Sequence, residues 1–302
     1  MTSGRDLRGY GGRPPHPQWP DDARVAVSIV VNVEEGAELC IADGDERNEV
    51  AHEIPYEVVD RPDPGMASHF EYGTRAGYWR VVDALAEAQA PATMSCCGRA
   101  IERSPWLAAD AVARGHELAC HGWRWEAHAT MDEAHERATI ARTVAALTAA
   151  SGMTPVGWHT KSAASANTRR LLIEHGGFLY DSDAYNDDLP YFVAVDDHEH
   201  LVIPYSFDTN DMHYHQGRQK FVTADDFATY VIDAFDRLWR EGAEAPKMMS
   251  IGLHLRMIGR PGRIAGLERV LTHMRRRGRI WFARRDQIAH HWIARFGRRA
   301  AS

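Results

Sequence analysis

The sequence predicts an α/β protein in which a largely parallel sheet, rolled as a barrel or left open, is covered by helices. Two observations carry this prediction. Strand-length apolar runs alternate with helix-length amphipathic segments from about residue 24 to residue 290, the order that repeated βαβ units produce. Polar clusters also recur just after predicted strands, at residues 32–35, 121–125, 158–160 and 254. Folds of this class place their chemistry at those strand ends.

The elements follow in order. Residues 24–32 are a β-branched run that ends in polar residues, the signature of a strand. Thr74 is expected to cap a helix whose Tyr78, Val82 and Leu85 share one face, and Pro91 stops it. Residues 92–97 form the next strand. Ser104 and Pro105 supply an N-cap and a first helical residue, and Gly115 lies just past the end. Residues 117–121 are a short strand running into His-Gly-Trp. Thr130 and Glu133 form a capping-box pattern for a longer helix, with Ile140, Val144 and Leu147 as its buried stripe and Gly152 at its close. Further strands are expected at residues 155–158, 178–180, 201–203, 247–253 and 279–282, and helices at 168–175, 224–241 and 264–275. No internal repeat with a period of about 20–50 residues is visible. The expected organisation is an N-terminal arm over residues 1–20 and a single catalytic domain over residues 21–302.

Composition narrows the class of partner. Hydrophobic residues at 44% and charged residues at 25% provide for a sizeable core. A formal net charge of −7 argues against nucleic acid or an anionic membrane as the main partner. No apolar run approaches the roughly 20 residues that span a bilayer. Residues 1–20 are rich in Gly, Pro and Arg and hold no apolar signal region, so a cytoplasmic location is expected. Cys96 and Cys97 are adjacent and cannot readily bridge each other. With Cys40 and Cys120 they offer no C-x-x-C spacing, so reduced thiols are expected.

The strand ends supply the chemistry. Glu34 and Glu35 precede Gly36, and either carboxylate could take a proton from an attacking water. His121 ends a strand and is followed by a glycine turn, where it could polarise a carbonyl, donate to an oxyanion or bind a metal. Trp123 and Trp125 could wall a water-poor pocket or stack on a flat ligand. His254 ends another apolar run, a position suited to an acid that protonates a leaving nitrogen. Arg256, Arg260 and Arg263 follow it, able either to grip a polar substrate edge or to brace the loop. The loop after residue 180 carries Asp181, Asp183, Asp187 and Asp188. Its spacing does not match an EF-hand, and Asp181 and Asp183 are assigned to orienting other side chains.

These elements arrive in an order that resembles the polysaccharide deacetylase (NodB-homology) family, whose motifs run T-F-D-D, H-x-x-x-H, R-x-x-x-x-P, D-x-x-x-x-W and L-x-L-H. Asn32-Val-Glu-Glu-Gly36 occupies the first, His121-Gly-Trp-Arg-Trp125 the second and Gly252-Leu-His254 the last, with Asp181 assigned to the fourth. The likeness spans residues 5 to 295. Glutamates replace the expected aspartates and Trp125 replaces the second histidine, which removes a metal ligand. Stretches such as Glu71-Tyr-Gly-Thr-Arg-Ala-Gly77, Gly177-Phe-Leu-Tyr-Asp-Ser-Asp183 and Asp187-Asp-Leu-Pro-Tyr191 resemble the allantoinase and cyclic-imide-hydrolase branch. The loop Trp158-His-Thr-Lys-Ser162 departs from the Trp-Tyr-Thr-Gly-Arg of allantoin-opening members, which puts allantoin itself in doubt.

The resemblance implies a distorted (β/α)7-type barrel, a homo-oligomer with a tetramer as the implied form, and action on a small cyclic amide with no tightly bound metal. On this reading Glu35, or failing it Glu34, is the base. His121 stabilises the oxyanion and His254 is the acid. Asn32, Trp123, Trp125 and Trp158 hold the ring, and Arg260 or Arg75 meets its polar edge. Two alternatives differ in kind. One is a metal-dependent N-deacetylase with a divalent ion such as zinc on Glu35 and His121 and His128 as third ligand. The other is a non-catalytic small-molecule-binding barrel.

Overall fold

The structure is a computed structural model that describes residues 5–50, 56–161, 163–214 and 220–297. Its strands are β1 (Val25–Val33), β2 (Thr93–Cys96), β3 (Glu117–Cys120), β4 (Gly157–Trp158), β5 (Tyr180–Asp181), β6 (Tyr191–Val195), β7 (His198–Val202), β8 (Lys247–His254) and β9 (Ile280–Phe282). They form one sheet in the order β6-β7-β5-β4-β3-β2-β1-β8. Every pairing is parallel except the β6–β7 hairpin. The sheet curls into a half-barrel clad in helices.

β1 is the axis. It pairs with β8 from Val25 to Asn32, while β9 and β2 share its other edge. All nine of its residues are buried, as a β-branched strand covered on both faces requires. Alternation then sorts the side chains. Val25, Val27, Ile29, Val31 and Val33 join the core between sheet and helices. Ala26, Ser28, Val30 and Asn32 point the other way, into the hollow of the barrel. The same parity on β8 sends Met249, Ile251 and Leu253 to the helix layer and His254 inward.

The barrel does not close as a ladder. Between the edge strands β6 and β8, among the described residues, the seam is crossed by the isolated bridge of Asn210 to Gly252 and by the Met248 N–H donating to Asp188 O. At the far end of the barrel, helix Arg285–Phe296 packs Ile288 and Trp292 against Trp19, Leu201 and Met248. Trp19 Nε1 donates to Lys247 O at 2.9 Å, so the tail of the predicted arm is knit into a core.

Several local starts differ from expectation, among them the helix at Pro261–Arg277 and the strands at Tyr180 and His198, and two have a clear physical cause. Thr74 does not begin a helix. The helix starts at Pro64, capped by Asp63, which accepts from Met66 N–H, and passes through a wide turn at Gly73–Gly77 into Tyr78–Glu87. Gly77 is required there because a Cβ would run into the Leu255 carbonyl. Thr130 is likewise displaced as a cap by Asp132, which accepts from His135 N–H at 2.8 Å. The earlier residue is spent in a short turn at His128–Thr130.

Candidate active site

A cavity of about 600 Å³ opens at the carboxyl ends of the strands, a size suited to a small ligand. Asn32 and Glu34 enter it from the end of β1, His121 from the end of β3, and His159, Thr160 and Lys161 from the end of β4. Tyr205 and Asn210 come from the irregular segment after β7, and His254 and Arg256 from the end of β8. A second hollow, of about 1190 Å³, lies beyond Tyr185 and Tyr205 along the N-terminal segment. It is larger but gathers none of these histidines.

Glu34 is the hub. Its Oε2 accepts from Arg256 at 2.8 Å, and its Oε1 lies 3.5 Å from His121 Nε2 and 4.0 Å from His254 Nε2. Burial alone would push its carboxyl pKa upward. The Arg256 charge, then His254 and the contact with His121, overcome that and hold it well below the usual carboxylate range. Glu35 faces away. It accepts from the backbone N–H groups of Arg256 and Glu34, lies against Gly73 and does not line the cavity. Burial raises its pKa, Arg256 opposes the rise, and the adjacent Glu34 charge adds to it. Position thus separates the two glutamates: β1's inward parity, which includes Asn32, continues to Glu34, which lines the cavity, and Glu35 lies behind it.

His121 and His254 are each fixed by the second ring nitrogen. His121 Nδ1 donates to the His159 carbonyl at 2.6 Å. A carbonyl only accepts, so Nδ1 carries the proton and Nε2 is turned to Glu34. Asp211 accepts from His254 Nδ1 at 2.7 Å and from its backbone N–H at 2.8 Å, which leaves Nε2 facing the cavity. Asp211 is fully buried and was not singled out in the sequence. His159 is buried with its Nδ1 unpartnered. Burial, then His121 and Arg285, hold it well below the ordinary histidine pKa, so this ring is neutral. Tyr205 packs against it with ring centroids 4.3 Å apart and planes tilted by 39°, and accepts from Asn32 and Asn210.

Asp183 braces this wall, accepting from Thr160 N–H at 2.7 Å and from its hydroxyl at 2.6 Å. Burial and the Asp181 charge push its pKa up to about 7. Asp181 itself is held by Arg169 and His200, one layer back from the cavity.

Several expected ligand contacts lie elsewhere. Trp125 lines the cavity, but Trp158 is wholly buried, packed on His128 and Phe178 with its Nε1 donating to Thr160. β4 parity turns Trp158 to the helices and leaves His159 at the cavity. Trp123 lies under Arg142, whose guanidinium is 3.5 Å from the ring centre. Arg75 sits on the surface, its side chain 78% exposed beside Glu71. Arg260 stacks on Tyr72 and bonds to His69 at the rim, and Arg256 takes the inner position.

A divalent metal fits these donors poorly. Among the described residues no group of three or more His, Cys, Asp or Glu is arranged to hold one. The trio of Glu35, His121 and His128 does not converge, since Glu35 faces away and His128 Nδ1 is bonded to Glu136. Arg256 already supplies a cation to Glu34, and Trp125 contributes an indole where the motif has its second histidine.

The comparisons agree with this architecture. The family model for polysaccharide deacetylase matches residues 59–177. A Schizosaccharomyces pombe protein assigned as a polysaccharide deacetylase is 38% identical, covering 98% of this chain and 98% of its own. A Pseudomonas aeruginosa PAO1 structure with the same assignment is 45% identical with a TM-score of 0.93, covering 98% of this chain and 99% of that one. The crystal structure of PuuE allantoinase is 44% identical with a TM-score of 0.94, covering 99% and 100%.

Proposed function

The chain belongs to the polysaccharide deacetylase family and is a hydrolase of carbon–nitrogen bonds other than peptide bonds, and on that premise we propose that it opens a small cyclic amide, imide or ureide ring. The observation that carries this reading is the convergence of Glu34, His121 and His254 on one cavity, with Glu34 Oε1 3.5 Å and 4.0 Å from the two Nε2 atoms. The 44% identity to PuuE allantoinase supports it, as does a donor set that suits acid–base work better than a metal.

In this proposal Glu34 takes a proton from water as its oxygen attacks the ring carbonyl carbon. His121 steadies the oxyanion from Nε2. Because its Nδ1 is committed to the His159 carbonyl, it donates from Nε2 only as the imidazolium. His254, its Nδ1–H held by Asp211, receives at Nε2 the proton that Glu34 took from water and passes it to the departing ring nitrogen. Acid and base groups of this kind each contribute about 10²–10⁴-fold. Trp125 and the neutral His159 flank the ring, and Asn32 holds Tyr205 in the wall. A homotetramer in the cytoplasm and a single catalytic domain over residues 21–302 go with this proposal.

A panel of hydantoins, imides, lactams and ureides tests it, followed by loss of ring absorbance, with N-acetylated sugars run alongside. Turnover of one ring class and none of the acetyl compounds is the expected result. Acetate release without ring opening would transfer the assignment to an N-deacetylase.

No described helix is long and apolar enough to cross a membrane.

A further inference from the structure

We propose that Tyr205 is a catalytic residue whose hydroxyl donates a hydrogen bond to the carbonyl oxygen of the bound substrate. The proposal deepens the ring-opening reading and rests on it for the identity of that carbonyl.

A phenol has one proton to donate and two lone pairs that accept. Both accepting positions of Tyr205 are taken, by Asn32 Nδ2 at 3.0 Å and by Asn210 Nδ2 at 2.9 Å. Neither amide can be turned round, because each is oriented by a second bond. Asn32 Nδ2 also donates to Leu253 O, and Asn210 Oδ1 accepts from Met212 N–H. Two donors on one oxygen leave the hydroxyl proton to be given elsewhere, and among the described residues no group accepts it.

The cavity is where that proton points. Tyr205, Asn32 and Asn210 all line the hollow that holds Glu34, His121 and His254. Tyr205 also borders the second hollow, but neither amide does, so the hydroxyl end belongs to the catalytic side. The opposite strand makes room for it. At Gly252, inside β8, a Cβ would run into the Tyr205 hydroxyl and Asn210 Nδ2, and glycine within a strand marks such a close approach. Burial raises the phenol's pKa, the Asn32 contact opposes the rise and the Asp211 charge adds to it, so the hydroxyl keeps its proton. A buried donor without an acceptor is costly, and a ligand carbonyl removes that cost.

As the water oxygen bonds to the carbonyl carbon, the π pair moves onto the carbonyl oxygen and charge gathers there. A hydrogen bond from a fixed, water-poor donor strengthens as that charge grows. Tyr205 keeps its own proton throughout. When the carbonyl re-forms, the C–N pair leaves with the nitrogen, whose proton comes by way of His254. His121 and Tyr205 thus serve one oxyanion from two sides.

Replacing the oxygen of the cleaved carbonyl by sulfur, a weak acceptor, tests the contact directly. Wild-type protein should prefer the oxo compound to its thio counterpart. Tyr205→Phe should lower kcat on the oxo compound by about 10²-fold or more, change KM far less, and shrink the oxo preference about tenfold. A purely structural role lowers both compounds alike, and that result overturns the proposal. A ring-fluorinated tyrosine at position 205 keeps the shape and both amide bonds, which covers the case in which Y205F does not fold. Its more acidic hydroxyl should enlarge the oxo preference, and an unchanged preference overturns the proposal. The comparison runs equally on an acetamide and its thioacetamide. Whichever carbonyl compound the wild type hydrolyses therefore separates a wrong ring assignment from a wrong role for Tyr205.

Discussion

Asp211 grips His254 at two points, taking the backbone N–H on one carboxylate oxygen and the ring Nδ1 on the other, at 2.8 and 2.7 Å. The Ile258 N–H reaches the first oxygen as well, at 3.1 Å. The ring therefore has a fixed tilt and a fixed tautomer, with Nε2 aimed at the cavity. Asp211→Asn preserves shape but can present an amide N–H to Nδ1, which reverses the tautomer. We predict a fall in kcat of about 10²-fold or more, with KM changed far less. Steady-state kinetics check it, and equal losses in kcat and in binding would contradict the role.

The two adjacent glutamates should separate cleanly. Glu34→Gln removes the cavity carboxylate and should cost about 10²-fold or more in kcat. Glu35→Gln alters a side chain turned toward Gly73 and should retain most turnover. Parallel assays of the pair decide it, and the opposite ranking would return the base to Glu35.

Arg256→Met exposes the electrostatics of the hub. Glu34 is depressed because the Arg256 charge, aided by His254 and His121, outweighs burial. Its folded pKa lies below its unfolded one, so its contribution to stability is present above the usual carboxylate range and is lost as pH falls through the depressed folded value. Without the guanidinium, burial goes unopposed by its main counterweight and the pKa climbs. The acid limb of kcat/KM should move to higher pH in R256M, read from a pH–rate profile. An unmoved limb would show that another group sets it.

Asp183 gives the reverse sign. Its folded pKa is raised to about 7 from 3.8 by burial and by Asp181. The folded state therefore binds that proton more tightly than the unfolded chain. The associated stability is full below pH 3.8 and drains away as pH rises to about 7. Melting temperature in wild type should fall more between pH 5 and pH 8 than in Asp183→Asn, whose amide does not titrate. Parallel slopes in thermal scans would contradict this.

Strands were legible where apolar runs are long and covered, as in β1 and β8, and the helices at Thr168–His175 and Ala224–Glu241 begin and end where the pattern puts them. β6 was not foreseen because Tyr191–Val195 is half-exposed on a hairpin edge and lacks a clean buried alternation. Helix Arg285–Phe296 hides its Ile288, Ala289 and Trp292 stripe among Arg and His. In the site, reading polar residues at strand ends brought out Glu34, His121 and His254. Strand parity, followed past the end of β1, would also have chosen Glu34 over Glu35 and, on β4, His159 over Trp158. Asp211 left no such trace, since it opens a single short turn, Asp211–Tyr214, too brief to carry a period.

The irregular backbone after β7 has a consequence of its own. A regular strand in the gap between β6 and β8 would give every second side chain to the outside and offer the cavity few anchors. The unladdered stretch instead delivers Tyr205, Asn210 and Asp211 to the same interior. Freed from the pleat, this one stretch can be redrawn by substitution while the nine-strand frame stays put, and the fold keeps its adaptable stitching where the cylinder fails to meet.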